Sequence, residues 1–118
     1  MSGIPIITLK KRADFLRLNR GRKSVTPYFI LRSAASPQPT DVARVGYTVT
    51  AKCGNAVIRN RIKRRLRALV RELFPSLAQP GTDYVLIALA SAKPSAAEVD
   101  YTELREAMRR ALAHSALQ

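Results

Sequence analysis

The sequence predicts an α/β sandwich in which one small mixed sheet packs against helices, in the order helix, strand, strand, short strand, long helix, strand, helix. Two segments alternate apolar and polar residues as strands do, one continuous apolar run is typical of a buried strand, and the remaining segments have helical periodicity. The 118 residues fall within the usual size of one domain, and no repeat or linker divides them. We therefore expect a single domain over residues 1–118.

The first helix is expected near residues 11–20, with Gly21 as its C-terminal cap, after an extended start in "SGIPII". The first strand is expected in "SVTPYFILR", before a loop rich in Pro and Ser. Its alternation gives two faces, with Phe29 and Leu31 on one and Tyr28, Ile30 and Arg32 on the other.

A second alternating segment, "ARVGYTVTAK", predicts a strand with one polar face. We expect it to form an antiparallel pair with the first strand. The continuous apolar run "DYVLIALA" predicts a third strand that is covered on both faces and lies inside the sheet.

A long charged helix is expected from about Asn55, its N-cap, to Phe74, where Pro75 stops it. The last helix is expected to begin at a capping box formed by Ser95 and Glu98. A helical apolar stripe then indicates core packing, and its members are Tyr101, Leu104, Met108, Ala111 and Leu112.

The charge of the chain indicates its class of partner. Its 21 Lys and Arg against eight Asp and Glu leave a net charge of +13, which favours a polyanion such as nucleic acid. No segment approaches the ~20 apolar residues of a membrane span, and the N-terminus lacks the pattern of a secretion signal, so we expect a cytoplasmic protein without a membrane partner. One Cys and one His provide no zinc-ligand set.

The charged helix separates its side chains by face at about 100° per residue. An apolar arc can pack on the sheet, and its members are Ile58, Ile62, Leu66, Leu69, Val70 and Leu73. The opposite arc carries Asn60, Lys63, Arg64, Arg67 and Arg71, and Arg61 and Arg65 flank the apolar arc. Glu72 is the only acid between Ile58 and Leu73, so the outer arc predicts a phosphate-binding surface. Arg59 points toward the apolar arc, where it either reaches a ligand or extends along the surface.

Phosphate affinity alone does not separate DNA from RNA, but a surface dominated by Arg and Lys recognises shape more than sequence. A second candidate surface is the polar strand face. There Phe15, Tyr28 and Thr48 could line a groove that stacks single-stranded bases. Phe15 and Tyr28 are equally compatible with ordinary core positions.

The segment "RVGYTVTAKCGNAVIRNRIKRRLRALVRELF" closely resembles the signature of the bacterial ribonuclease P protein subunit. The family's Arg-Asn-Arg core corresponds to Arg59, Asn60 and Arg61. "ADFLRL" is similar to the family's first helix and "DYVLIA" to its penultimate strand, so the resemblance covers nearly the whole chain. It also implies an unusual left-handed crossover from a strand through the basic helix to a parallel strand, against the general right-handed rule.

The resemblance implies a monomeric protein in a 1:1 complex with ribonuclease P RNA, with precursor tRNA as the substrate whose 5′ leader is removed. The RNA, holding most of the Mg²⁺, would perform the hydrolysis, and we assign no catalytic residue and no metal ligand to the protein. The expected contacts with the RNA subunit are Lys52, Asn55, Arg59, Asn60, Arg61, Lys63, Arg64, Arg67 and Arg71. The expected leader cleft consists of Phe15, Tyr28, Ile30, Arg32 and Thr48.

Four positions depart from the family's common pattern. Ala51 and Leu89 stand where a basic residue is frequent, Asn19 lies near the place where many members carry a second aromatic residue, and Arg32 stands where some carry a tyrosine. The first two changes predict fewer phosphate contacts. The last two predict either weaker stacking of leader bases or an Arg contact that replaces the stacking. The alternative function is a ribosome-associated or general RNA chaperone with no role in cleavage, which composition does not separate from the first.

Overall fold

The computed structural model describes residues 3–117, which form one five-stranded sheet and three α-helices. The predicted class, a mixed sheet packed against helices, is confirmed. In chain order the elements are β1 (Ile6–Thr8), α1 (Arg12–Leu18), β2 (Arg22–Val25), β3 (Phe29–Ala35), β4 (Ala43–Thr48), a 3₁₀ turn (Ala51–Cys53), α2 (Ala56–Leu77), β5 (Thr82–Ala88) and α3 (Tyr101–Leu117).

The strand order is β1-β4-β5-β3-β2, so β5 lies in the middle of the sheet as predicted. The expected direct pairing of the two alternating segments is wrong, because β3 and β4 each pair with β5 instead, antiparallel and parallel respectively. The physical reason is burial, since the apolar β5 is covered on both faces and takes the central position. The loop 36–42 connects β3 to β4 past the end of β5.

The strands β1 and β2 are additions to the predicted order, and the segment "SVTPYFILR" is divided between β2 and β3 instead of forming one strand. The short strand expected before the long helix is wrong, because the chain forms the 3₁₀ turn Ala51–Cys53 there. The strands β1 and β2 occupy the two edges of the sheet, β1 parallel to β4 and β2 antiparallel to β3. Their lengths of three and four residues are too short for alternation to reveal them, although the extended start predicted for "SGIPII" agrees with β1.

The helices divide between the two faces of the sheet. The helices α2 and α3 cover one face with the larger core, in which Phe74 contacts Tyr84 edge-on with ring centroids 5.2 Å apart. The short α1 covers part of the other face, over a small cluster of Leu9, Leu18 and Val85. The predicted core stripe of the last helix is confirmed, with Leu104, Met108, Ala111 and Leu112 buried and Tyr101 partly buried.

The crossover from β4 through α2 to β5 is left-handed, as the resemblance implied. Val45 packs in the core under α2, and its carbonyl oxygen accepts a hydrogen bond of 2.8 Å from the amide of Leu9, which follows β1. In a strand of L-residues that runs upward with this side chain toward the viewer, the carbonyl points right. The strand β1 therefore lies to the right of β4 and β5 to its left, so the chain moves left as it passes in front of the sheet.

Three predicted helix ends need correction. Pro75 does not stop α2, which continues to Leu77, because the buried Phe74 fixes the helical path against the local preference of the residue before proline. The first helix ends at Leu18 with Asn19 as its cap instead of Gly21. Ser95 and Glu98 do bond to each other, but within a separate turn, and Asp100 caps α3 by accepting from the amide of Thr102 at 3.1 Å.

No helix within residues 3–117 combines the length and the apolar character that a membrane crossing requires.

Candidate nucleic-acid interface

The orientation of α2 is fixed at its start and along its apolar arc. The Asn55 side chain accepts a hydrogen bond of 3.0 Å from the amide of Ile58, which confirms the predicted N-cap. The buried residues of the helix are Ile62, Leu66, Leu69, Val70, Leu73 and Phe74. Packing of this arc on the sheet turns the opposite arc toward solvent.

The outward arc forms one continuous surface, which we call the basic ridge. It brings together all five residues that the sequence placed there, and they line a shallow depression of about 340 Å³: Asn60, Lys63, Arg64, Arg67 and Arg71. Among residues 3–117 no acid forms a salt bridge with these cations, because Glu72 pairs with Arg105 of α3. Four like charges without counter-ions favour an anionic partner.

Tyr47 of β4 supports one end of the basic ridge. The Arg67 guanidinium lies 5.6 Å from the centroid of the Tyr47 ring, within the range of a cation–π contact. Burial raises the pKa of the Tyr47 hydroxyl, and the positive charges of Arg67 and Arg71 lower it only in part. The hydroxyl therefore stays neutral at physiological pH, and the ring fixes Arg67 without forming an ion pair.

The cations beside the ridge have different roles. Arg65 donates to the carbonyls of Ala96 and Val99 at 2.9 and 2.6 Å and stacks over Tyr101, so it joins α2 to the loop before α3. Arg61 faces a separate depression, which it shares with Lys93 and Glu98.

The start of α2 holds the remaining predicted contacts. The Nε atom of Arg59 is buried without a hydrogen-bond partner, while Lys52 is exposed on the 3₁₀ turn. The side-chain oxygen Oδ1 of Asn55 accepts the hydrogen bond that caps α2. The side-chain nitrogen Nδ2 of this exposed residue takes no part in the cap.

A second surface lies on the opposite face of the sheet, beside α1. We call it the α1 cleft, and its volume is about 320 Å³. Two of its residues, Phe15 and Thr48, were predicted from the sequence. The complete lining is Arg12, Phe15, Leu16, Asn19, Thr48, Val85 and Ile87.

Gly46 allows the helix to approach the sheet at this cleft. A Cβ atom at position 46 would lie 2.5 Å from Cζ of Phe15 and 3.2 Å from Cβ of Leu9. The absence of a side chain therefore lets the Phe15 ring rest on the strand.

The other predicted cleft residues do not lie together on one face of the sheet. Ile30 and Arg32 lie on the α1 face of β3, since their neighbours Leu31 and Ser33 face the larger core and α3. Arg32 donates to the carbonyl of Gly21 at 3.2 Å. Tyr28 is only 5% exposed and packs in the larger core, so it offers no stacking surface to the cleft and its assignment there is corrected.

Sequence reasoning missed several residues of the α1 cleft. Leu16 is 53% exposed, and Arg12 and Asn19 lie one turn to either side of it along the helix and its cap. The available signal was the spacing of residues 12, 15, 16 and 19, which share one helical face at i, i+3, i+4 and i+7. The contributions of Val85 and Ile87 depend on the pairing of β5 with both β3 and β4, whereas the sequence led us to expect β3 and β4 to pair with each other.

A buried carboxylate lies under α1, next to the cleft. Asp83 is fully buried, and its two oxygens accept hydrogen bonds from Nε and Nη2 of Arg44 at 2.8 and 2.6 Å, from Ser36 at 2.8 Å and from Arg17. Burial opposes ionisation of Asp83, but these bonds outweigh it and hold the pKa below its usual value. Because every favourable acceptor position is used by a protein donor, this carboxylate is a structural anchor.

Comparisons with known proteins identify the family of this chain. Residues 6–116 match the family described as Ribonuclease P. The Ribonuclease P protein component of Erythrobacter litoralis is 43% identical over 104 residues, covering 88% of this chain and 81% of that protein. That of Gluconacetobacter diazotrophicus is 42% identical over 104 residues, covering 87% of this chain and 89% of that protein.

Solved structures show the same fold. The RNase P protein of Staphylococcus aureus is 26% identical with a TM-score of 0.76, covering 92% of this chain and 94% of that one. The RNase P protein of Thermotoga maritima is 27% identical with a TM-score of 0.75, covering 91% and 96% respectively. Because the family model matches residues 6–116 and the Erythrobacter litoralis protein is 43% identical over most of the chain, the chain belongs to the ribonuclease P protein family.

Proposed function

We propose that this chain binds ribonuclease P RNA through the basic ridge and receives the single-stranded 5′ leader of precursor tRNA in the α1 cleft. Family membership makes it the protein component of an endoribonuclease and a partner of ribonuclease P RNA. One observation supports the division of labour most strongly: the basic ridge and the α1 cleft lie on opposite faces of one sheet. A single monomer in a 1:1 complex could therefore contact both RNAs at once, in the cytoplasm where tRNA precursors are processed.

The chemistry of the cleavage is assigned to the RNA with bound Mg²⁺. Within residues 3–117 no group of three His, Cys, Asp or Glu side chains is placed to hold a metal ion. The buried carboxylate of Asp83 accepts hydrogen bonds from Arg44, Arg17 and Ser36, which leaves no lone pair free for a metal or a water. The protein then contributes by binding and orienting the substrate, which increases the effective concentration of the scissile bond at the catalytic RNA.

The decisive experiment is cleavage of a precursor tRNA by the RNA subunit at low Mg²⁺, with and without this protein. We expect the protein to stimulate cleavage at near-physiological salt, because its cations reduce the repulsion between two RNAs that Mg²⁺ would otherwise have to screen. If cleavage is unchanged while RNA binding is retained, the alternative function as a general RNA chaperone is favoured instead.

Replacement of Gly46 by Ala tests the α1 cleft separately from the ridge. The added Cβ would displace the Phe15 ring, and stacking of a base on an aromatic ring contributes about 1–3 kcal/mol. We expect the affinity for precursor tRNA to fall by about fivefold or more, with unchanged affinity for mature tRNA. The cost in folding stability should be about 1 kcal/mol, because the partly buried ring can move.

Phe15→Ala is the matched comparison for Gly46→Ala. If both act through the same ring, the double variant binds precursor tRNA no more weakly than Phe15→Ala alone. Additive losses would show that Gly46 acts elsewhere.

A further inference from the structure

An apolar row crosses the open face of the sheet beyond the α1 cleft. The pairing registers place Thr48 opposite Ile87, Ile87 opposite Ile30, and Ile30 opposite Val25. Residues paired in this way point to the same face, so these four side chains form one line across four strands. Val25, at the end of the line on the edge strand β2, is 63% exposed.

A basic row runs beside the apolar one. Val85 pairs with Arg32 and Arg32 pairs with Lys23, so two cations stand directly opposite each other on neighbouring strands. Like charges in this position are destabilising, and within residues 3–117 no acid forms a salt bridge with either of them. An external anion would remove this repulsion.

The two faces of β2 can be told apart. Ser24 is buried and lies 2.9 Å from Nδ1 of His114 on α3, so the side chain of Ser24 points to the α3 face of the sheet. The alternation of a strand then places Lys23 and Val25 on the α1 face. Arg22 pairs with Ser33, whose hydroxyl lies 3.0 Å from that of Ser115 on α3, so Arg22 is on the α3 face.

We propose that the leader-binding surface extends past the α1 cleft to the edge strand, where Val25 contacts a leader base and Lys23 a leader phosphate. An apolar platform with a cationic border is the arrangement that binds single-stranded RNA without reading its sequence. The extension rests on the proposed function of the α1 cleft, with which it shares Thr48 and Ile87.

The position of this subsite along the leader follows from the chain path. Thr48 lies at the end of β4, directly before the 3₁₀ turn that leads into α2, so this end of the row is nearest the basic ridge and the catalytic RNA. Strands are about 4.8 Å apart, which places Val25 about 14 Å from Thr48 across the sheet. A fully stacked strand advances about 3.4 Å per nucleotide and an unstacked one advances more, so this distance corresponds to at most about four nucleotides. Val25 and Lys23 therefore meet only leaders that are long enough to reach β2.

The test uses the assembled holoenzyme and two precursor tRNAs, one with a leader of about two nucleotides and one with a leader of about ten, chosen to end before and beyond the 14 Å row. We expect Lys23→Ala to weaken binding of the long-leader precursor by about fivefold and to make its slope of log K against log salt shallower by about 0.7. Binding of the short-leader precursor should be unchanged. Val25→Asp, which adds a negative charge at an exposed position, should weaken binding of the long-leader precursor more than Lys23→Ala does.

Arg22→Ala is the matched control, because it removes the same charge from the same strand on the opposite face. Equal effects of Lys23→Ala and Arg22→Ala at both leader lengths would overturn the extension while leaving the α1 cleft intact, provided that the unmodified holoenzyme still prefers the long leader. If the unmodified holoenzyme binds both precursors equally, leader binding itself fails and the extension fails with it.

Discussion

Replacing Arg64, Arg67 and Arg71 together by alanine is expected to reduce the affinity for ribonuclease P RNA by about a hundredfold or more. The three guanidinium groups lie on the basic ridge without acidic partners, so each is available to a phosphate. Hydrogen bonds to charged groups contribute about 1 kcal/mol or more each, and the loss of three reaches that factor. The slope of log K against log salt should become shallower by about two to three units. Filter binding at several salt concentrations measures both quantities.

The control for the ridge variant removes the same charge elsewhere. Arg105, Arg109 and Arg110 are on α3, where the first two form ion pairs with Glu72 and Glu106. Their joint replacement by alanine lowers the net charge equally, so a general electrostatic attraction would weaken RNA binding as much as the ridge variant does. We expect a much smaller loss, with a nearly unchanged salt slope, and equal losses would remove the ridge from the interface.

The ridge could be predicted from the sequence because its geometry is local. The helical repeat alone decides that Lys63, Arg64 and Arg67 share an arc, whatever the helix packs against. Arg65 shows the limit of this reasoning. Its position between the arcs was predicted correctly, but its partners are carbonyls 31 and 34 residues away in the chain, which no periodicity reveals.

The cleft was predicted less completely because it depends on which strands are neighbours. Alternation grouped Tyr28 with Ile30, yet β3 begins only at Phe29, and Thr26 bonds to the backbone of Tyr28 and Phe29 to form a tight turn. The two-residue period does not continue through such a turn. The row that ends at Val25 was likewise hidden, since it requires β5 to lie between β4 and β3 and a strand β2 that was not predicted.

Asp83→Ala is expected to lower the free energy of unfolding by about 3 kcal/mol at neutral pH. The change removes a fully buried carboxylate that joins Arg44 of β4, Arg17 of α1 and Ser36 of the loop between β3 and β4. Breaking a buried pair costs about 3–5 kcal/mol, and the lower end applies because both guanidinium groups remain about one-third exposed and keep contacts with Asp14. Urea denaturation measures the loss, and Asp41→Ala, on an exposed loop, should change stability by less than about 0.5 kcal/mol.

The pH dependence of this loss distinguishes an ionised anchor from a merely well-packed side chain. The folded state holds the pKa of Asp83 below its ordinary value of 3.8, so the contribution of the carboxylate is complete above that value and disappears as the pH falls through the lower folded pKa. The difference in stability between the unmodified protein and Asp83→Ala should therefore be constant from neutral pH to about 5 and shrink below about 4. Asp83→Asn, which keeps the shape but not the charge, should lose less stability than Asp83→Ala. Like that of Asp83→Ala, its stability should fall less steeply below about pH 4 than that of the unmodified protein. A difference that stayed constant to pH 2 would mean that Asp83 stabilises the fold through its volume alone, and the arginines would then be passive neighbours.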